Sequence, residues 1–535
     1  MRSVVVAPQP RAAEAGAEVL RRGGNAFDAA VAAGFMQMAT DPLMCGIGGM
    51  GIAQVHVAAT GETLVLDFLH RAGSRYTPDL WEGRVREAPG GKRYVEGFPE
   101  QIGYQTIMRP GSVAGFGALH ARWGSRDWAE LLQPAIGALR EGFPMDEYIA
   151  DFLDERHQYG SSPASPPLDA FLRASEPMAA LWLDDEGRPR RVGDHLANPD
   201  YARTLERLAA DGADSFYRGA LAQEIAADLA AHDALVTAAD LAGYQVIDRR
   251  PLAGSYRGLA VSTVPAPGGG PTLLQILGIL EGFDLAALGH DSVEYLHLLL
   301  SAMRLAFADR KEHLGDPDFV DDATARLLDP AHIAALRERV ERGELASAPE
   351  DGVPGTTHLT VADAAGNVVA VTHTLGHGSG VITPGLGFQY NGGGGFDLRP
   401  GRPNSAAPGK VRLSGMCPTI VLRDGAPAFA LGSPGSNAIV NAVAQVIINT
   451  VDFGMSPVEA VSAPRAHGEG EDALLETRIP QATARALAER GHAVTYRPFA
   501  YDTLQGRIQL VARTPDGDWA GASDPRRQGG YAAYA

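Results

Sequence analysis

The chain has 535 residues, 45% hydrophobic and 21% charged, a composition that suits a globular protein with a large core and not a disordered one. A formal net charge of −18 with no long Lys/Arg run argues against a nucleic-acid partner. Two cysteines, Cys45 and Cys417, exclude a disulfide framework and a four-cysteine zinc site, and no apolar run approaches the roughly 20 residues that span a bilayer.

The first eight residues lack a long apolar stretch and a cleavage site, so a cytoplasmic protein is the default expectation, although a chain trimmed of an export signal reads the same. Residues 11–22 predict a helix closed by Gly23-Gly24, and Asn25 is placed to cap a second, small-residue-rich helix over 26–38. The glycines of Gly46-Ile47-Gly48-Gly49-Met50-Gly51 precede a strand signal at 52–57. A phosphate loop should precede a helix, so close backbone packing is the better reading.

From about 115 to 345 the pattern is mostly helical, with helices predicted over 128–141, 198–210, 221–232, 271–280 and 292–308. A charged stretch, 337–351, runs into Gly352-Val353-Pro354-Gly355 and reads as an exposed linker, where chains are commonly nicked. Strand character follows. Residues 357–362 and 368–375 flank a turn at 363–367 and predict a hairpin, and 418–422 with 428–431 predict a second strand pair. The turn Gly432-Ser433-Pro434-Gly435-Ser436-Asn437 then leads into a helix over 438–451.

Thr356 heads the first of these strands. If the chain is cut before it, Thr356 carries a hydroxyl nucleophile and a free α-amine with an ordinary pKa of about 7.7–8.0, able to act as base for that hydroxyl. The hairpin brings Thr374 back towards it, and the Gly435-Ser436 turn offers backbone N–H groups at a helix mouth, an arrangement suited to an oxyanion. Each piece alone is ordinary strand or turn.

Together and in order they resemble the γ-glutamyltranspeptidase family of N-terminal-nucleophile hydrolases. The resemblance spans nearly the whole chain: Gly23-Gly24-Asn25-Ala26-Phe27-Asp28, Gly46-Ile47-Gly48-Gly49, Pro110-Gly111-Ser112-Val113, Thr356-Thr357-His358, Leu413-Ser414-Gly415-Met416, Gly432-Ser433-Pro434-Gly435 and Ala522-Ser523-Asp524-Pro525. It implies an α+β fold, a four-layer αββα sandwich, with self-cleavage between Gly355 and Thr356. The products are a large subunit, 1–355, and a small catalytic subunit, 356–535, that remain together as an αβ pair, with a dimer of pairs left open. It implies a threonyl acyl-enzyme acting on a small-molecule amide, with acyl transfer to water or an amine and no cofactor or metal.

The recognition groups depart from the family pattern. Members acting on γ-glutamyl compounds hold the substrate's α-carboxylate with an arginine, where this chain has Leu69. They also use two adjacent serines, here Ser414-Gly415. The carboxylate and amide that hold the α-amino group fall within Asn391-Gly392-Gly393-Gly394-Gly395, and an asparagine beyond the supporting threonine is Gly376. An unpaired ammonium in a closed pocket is costly, so the acyl substrate is expected to differ. Arg71, Lys410 or Arg412 are candidates to meet a carboxylate, and His70, His373, His377 and Asn391 are further polar candidates. Relatives with altered pockets include oxamate amidohydrolase and acylases that cleave glutaryl-cephalosporins, and true γ-glutamyl transfer ranks below such an amide hydrolase. A metal-dependent hydrolase built on His358, His373 and His377 with Asp363 is the competing class, as is an uncleaved, non-catalytic homologue.

Overall fold

A computed structural model describes residues 2–89, 91–153, 163–346, 355–527 and 531–535. Two antiparallel sheets face one another between two layers of helix, which is the expected αββα sandwich. The first sheet has seven strands, in the order Tyr531–Tyr534, Val4–Ala7, Thr357–Ala362, Val368–Thr374, Met50–Val57, Glu62–Phe68 and Ile247–Arg249. The second has six, in the order Trp519–Ser523, Gln509–Arg513, Ala426–Gly432, Thr419–Arg423, Leu259–Thr263 and Leu252–Tyr256.

Strand alternation sets the layers, because successive side chains leave opposite faces of a sheet. Val5, Leu359, Val361, Val369 and Val371 enter a core shared with the helix Ala26–Thr40. Their neighbours Val4, Val6, Ala362 and Val368 pack between the sheets on Ile420, Ala430, Val511 and Trp519. Every residue of Ala26–Thr40 is buried, which explains its small side chains, and Asn25 and Asp28 close a capping box at its start. On the other side, Gly270–Leu280, Val293–His313 and Ala438–Val451 cover the second sheet. No helix among the described residues is long and apolar enough to cross a membrane.

The helices at Pro10–Arg21, Trp128–Glu141, Pro199–Asp211, Ala220–Ala231 and Ala438–Val451 lie where the periodicity predicts them. Val293–His313 runs past residue 308 because its polar continuation bonds inward, with Asp309 accepting from Gln275 at 2.7 Å and contacting His332 at 2.6 Å. The pair Leu252–Tyr256 and Leu259–Thr263 breaks the expected run of helices. Its first strand, LAGSY, carries little β-branched signal and is set by pairing in the second sheet. The glycine run before Met50–Val57 is close packing, since a Cβ on Gly49 would lie 2.5 Å from the Thr374 carbonyl oxygen. Cys45 and Cys417 are buried and free. The linker reading at 337–355 divides: the helix Pro330–Glu341 covers its start, and residues 347–354 lie outside the described residues.

Candidate active site

The hairpin register places the two threonines opposite one another. Thr357 pairs with His373 across the antiparallel strands, so the next position outward sets Thr356 against Thr374. Even-numbered residues of both strands face the second sheet, where His358 bonds Thr372 at 2.8 Å and Thr360 donates to the Gln509 carbonyl at 2.8 Å. Both hydroxyls therefore open between the sheets, and Thr356 is 5% exposed.

The Thr356 hydroxyl donates to the carbonyl oxygen of Gly355 at 2.6 Å and lies 3.2 Å from the Thr374 hydroxyl. Thr374 accepts the Gly376 N–H at 2.8 Å and itself donates to that same Gly355 oxygen. The carbonyl before Thr356 is thus held by a donor beside a hydroxyl placed to attack it. Gly355 has a φ of +138° and its α-carbon faces the Gly376 carbonyl, which a Cβ would approach to 2.2 Å, so glycine is required there.

A cavity of about 310 Å³ opens on Thr356 and Thr374. Ser414, Gly415 and Ser436 line it together with Asn437, which donates to Glu469 at 2.7 Å. Gly435 stands behind Ser436, against Gly506, and is not part of the lining. The turn begins the helix Ala438–Val451, whose N-terminal end favours negative charge. The lining carries six basic side chains, Lys92, Arg93, Arg310, Lys311, Arg399 and Arg412, against four acidic ones, Glu87, Glu100, Asp397 and Glu469. In a chain of net charge −18 this is a local reversal of sign, and it favours an anionic ligand.

Four sequence candidates for substrate binding lie elsewhere. Arg71 is turned to Asp67 at 3.5 Å, in a group completed by Arg249, and does not line the cavity. His70 is fully buried against Asn391 at 3.2 Å, and burial together with the charges of Arg412 and Arg71 holds its imidazole well below the usual range. Asn391 spends its amide on the carbonyls of Gly48 and Met108, at 2.8 and 2.9 Å, and is a latch between loops. His373 faces the helix layer, bonded to Gln37 at 2.8 Å. Each is engaged by the fold through at least one polar partner inside the protein, which a polar residue in a sequence does not reveal. Lys410 likewise donates to the Pro403 carbonyl at 2.7 Å.

His358, His373 and His377 occupy three different environments: between the sheets, under the helix layer, and on the cavity wall. Asp363 bonds the turn residue Asn367 and caps Ala26, so these four residues do not converge on one point. The contributions of Glu100, Gln101 and Arg310 to the cavity were not anticipated. Arg310 belongs to Ala308-Asp309-Arg310, a further stretch that resembles the family, and that resemblance is the sequence signal pointing to it.

The sequence model for gamma-glutamyltranspeptidase matches residues 12–534. The acylase ACY 1 proenzyme of Pseudomonas sp. (strain SE83) is 38% identical over 541 residues, covering 99% of this chain and 93% of that protein. The glutathione hydrolase proenzyme of Escherichia coli (strain K12) is 32% identical over 548 residues, covering 98% and 90%. Among solved structures, cephalosporin acylase from Bacillus halodurans superposes with a TM-score of 0.86 at 30% identity, over 100% of this chain and 95% of that one.

Proposed function

The chain belongs to the γ-glutamyltranspeptidase family of self-processed N-terminal-nucleophile amide hydrolases and acyltransferases, and on that premise we propose that its own work is acylase-like, on an acyl group other than γ-glutamyl. The observation that carries this reading is the wall of Gly393, Gly394 and Gly395, which offers no side chain to an ammonium group, beside an intact Thr356–Thr374 pair. The similarity to acylases points the same way.

Maturation in this reading starts with attack of the Thr356 hydroxyl oxygen on the Gly355 carbonyl carbon. The Thr374 hydroxyl supports the oxygen as it becomes anionic. The Gly355–Thr356 C–N bond breaks, its nitrogen takes up a proton, and water hydrolyses the resulting ester. Gly355 is left as a carboxylate and Thr356 as a free amine. The two segments stay together because Val4–Ala7, from the first, lies in the sheet between Thr357–Ala362 and Tyr531–Tyr534, from the second.

In turnover the Thr356 amine takes the hydroxyl proton as the oxygen attacks the substrate amide, and passes it to the departing amine. The Ser436 turn, at the start of its helix, faces the same cavity as the developing oxyanion. Water then releases the acyl group as a carboxylate.

A denaturing gel with N-terminal sequencing tests the first half: two fragments are expected, the smaller beginning Thr-Thr-His-Leu. Release assays on γ-glutamyl anilide, glutathione, oxamate and glutaryl amides test the second. Dominant turnover of glutamyl compounds overturns the acylase reading.

Glutathione hydrolysis is the second reading, favoured by one observation. Glu100 is buried in the cavity wall with Oε2 lacking a hydrogen-bond partner, and a carboxylate there is available to an ammonium. Burial pushes this carboxyl up, towards its neutral form, which weakens that role.

A further inference from the structure

Two bare backbone positions and one arginine meet in the wall beside the nucleophile. Gly376, whose N–H supports Thr374, would carry a Cβ 3.4 Å from Nη2 of Arg412. On the far side, a Cβ on Gly395 would lie 3.0 Å from Cδ of Arg412 and 3.4 Å from its Nε and Nη1. The arginine side chain thus fills the space into which side chains from both positions would project. Neither glycine is incidental, because a longer residue at either site would compete with Arg412 for the same volume.

Arg412 has no counter-ion among the described residues. Its Nη1 donates to the Leu413 carbonyl at 3.0 Å, its Nε is buried without a partner, and among the described residues no carboxylate forms an ion pair with it. Burial and the nearby Arg310 charge pull it down to about 10, so it remains cationic at neutral pH. A desolvated guanidinium with unused donors is poorly satisfied until a planar anion meets it, and a carboxylate matches its fork. His377, also on the wall, is held well below the usual imidazole range by burial and by Arg412, so it adds no charge of its own.

We propose that Arg412 anchors a carboxylate at the far end of the substrate's acyl chain, making the preferred substrates monoamides of short dicarboxylic acids that lack an α-amino group. The proposal rests on the acylase reading above and deepens it. Gly376 links the two halves of the site: it touches Gly355 and Thr374 on one side and Arg412 on the other, so a short acyl chain joins the attacked carbonyl to the anchored carboxylate. An ammonium on that chain would meet a like charge.

The test compares kcat/KM for glutaryl, butyryl and γ-glutamyl 4-nitroanilides using purified protein whose maturation has been checked on a denaturing gel. The wild type is expected to prefer glutaryl over butyryl by roughly 10²-fold or more, since a site built to bond a polar group discriminates strongly against its absence. Arg412→Met is expected to collapse that ratio to within about threefold, and Arg412→Lys, which keeps the charge but not the fork, to restore part of it. A wild type that cleaves butyryl as well as glutaryl overturns the anchor while leaving the acylase reading standing, as does an Arg412→Met protein that keeps the ratio. A wild type that matures and favours γ-glutamyl overturns both.

Discussion

The Thr374 hydroxyl donates to the carbonyl oxygen of Gly355 while it accepts the N–H of Gly376 at 2.8 Å. The incoming N–H orients the threonine, so its single hydrogen is directed to the carbonyl that must become an oxyanion during self-cleavage. Loss of one such donor costs roughly 10²–10³ in rate. Thr374→Val is therefore expected to slow fragment formation by about that factor, and Thr374→Ser to retain most of the rate. A time course of the purified precursor on a denaturing gel measures this. Maturation of Thr374→Val at the normal rate would remove Thr374 from the mechanism.

Gly355 combines a φ of +138° with a backbone approach that leaves no room for a methyl group, 2.2 Å from the Gly376 oxygen. Gly355→Ala is expected to leave the chain uncut, because the carbonyl can no longer sit between the two hydroxyls. Gly385→Ala is the control: it too has a positive φ, but nothing lies within 4 Å of the added methyl. Its maturation should be unimpaired. Equal cleavage of both variants would show that the geometry at Gly355 is not limiting.

The sequence exposes the nucleophile more readily than the pocket, for a physical reason. Thr356 and Thr374 are related by the register of one hairpin, and a hairpin is local, so chemistry at its open end follows from strand alternation. Asn391, His70 and Arg71 look equally suited to a ligand in one dimension. Asn391 meets Gly48, Met108 and His70 only when segments far apart in sequence close on one another, and Arg71 turns to Asp67, four residues back, in place of the cavity. Arg412 is the converse case: it stands beside Arg71 and Lys410 as a candidate in the sequence, and its place on the cavity wall with a buried, unpartnered Nε emerges only in three dimensions. The same distinction separates the helices, which follow their own periodicity, from Leu252–Tyr256, which the neighbouring strand imposes.

Two buried histidines predict acid sensitivity. Burial, with a further contribution from His373, lowers His358 to about 3, and burial lowers His373 to about 3 as well. In the unfolded chain both have ordinary values near 6.5. Between those limits the unfolded state binds protons that the folded state refuses. The stability is fully present above about pH 6.5 and is lost as pH falls towards 3. Each histidine contributes a slope of up to about 1.4 kcal/mol per pH unit in that window. Melting temperature measured from pH 8 to 4.5 should be level at first and fall below 6.5. His358→Gln should be less stable at pH 8 yet show a shallower fall. An unchanged slope would mean that His358 is not the titrating group.

The support behind the Ser436 turn is ionic. Arg526 grips Glu476 with two bonds of 2.6 and 2.8 Å and reaches Asp524 at 3.1 Å, while Arg465 meets Asp524 at 2.7 Å, and all four are buried. Arg465 also donates to the carbonyl of Gly506, the residue that backs Gly435. Removing one carboxylate from such a group leaves an uncompensated buried cation, which costs about 3–5 kcal/mol. Glu476→Gln keeps the shape and one acceptor but loses the charge. It is expected to lower the unfolding free energy of the mature protein by an amount in that range, read as a shift of the urea midpoint. It should also reduce kcat more than it raises KM, because Gly506 supports the turn that faces the oxyanion and not the acyl-binding wall. A variant with an unshifted midpoint would show the cluster to be energetically neutral. A shifted midpoint with normal kcat would detach it from the turn.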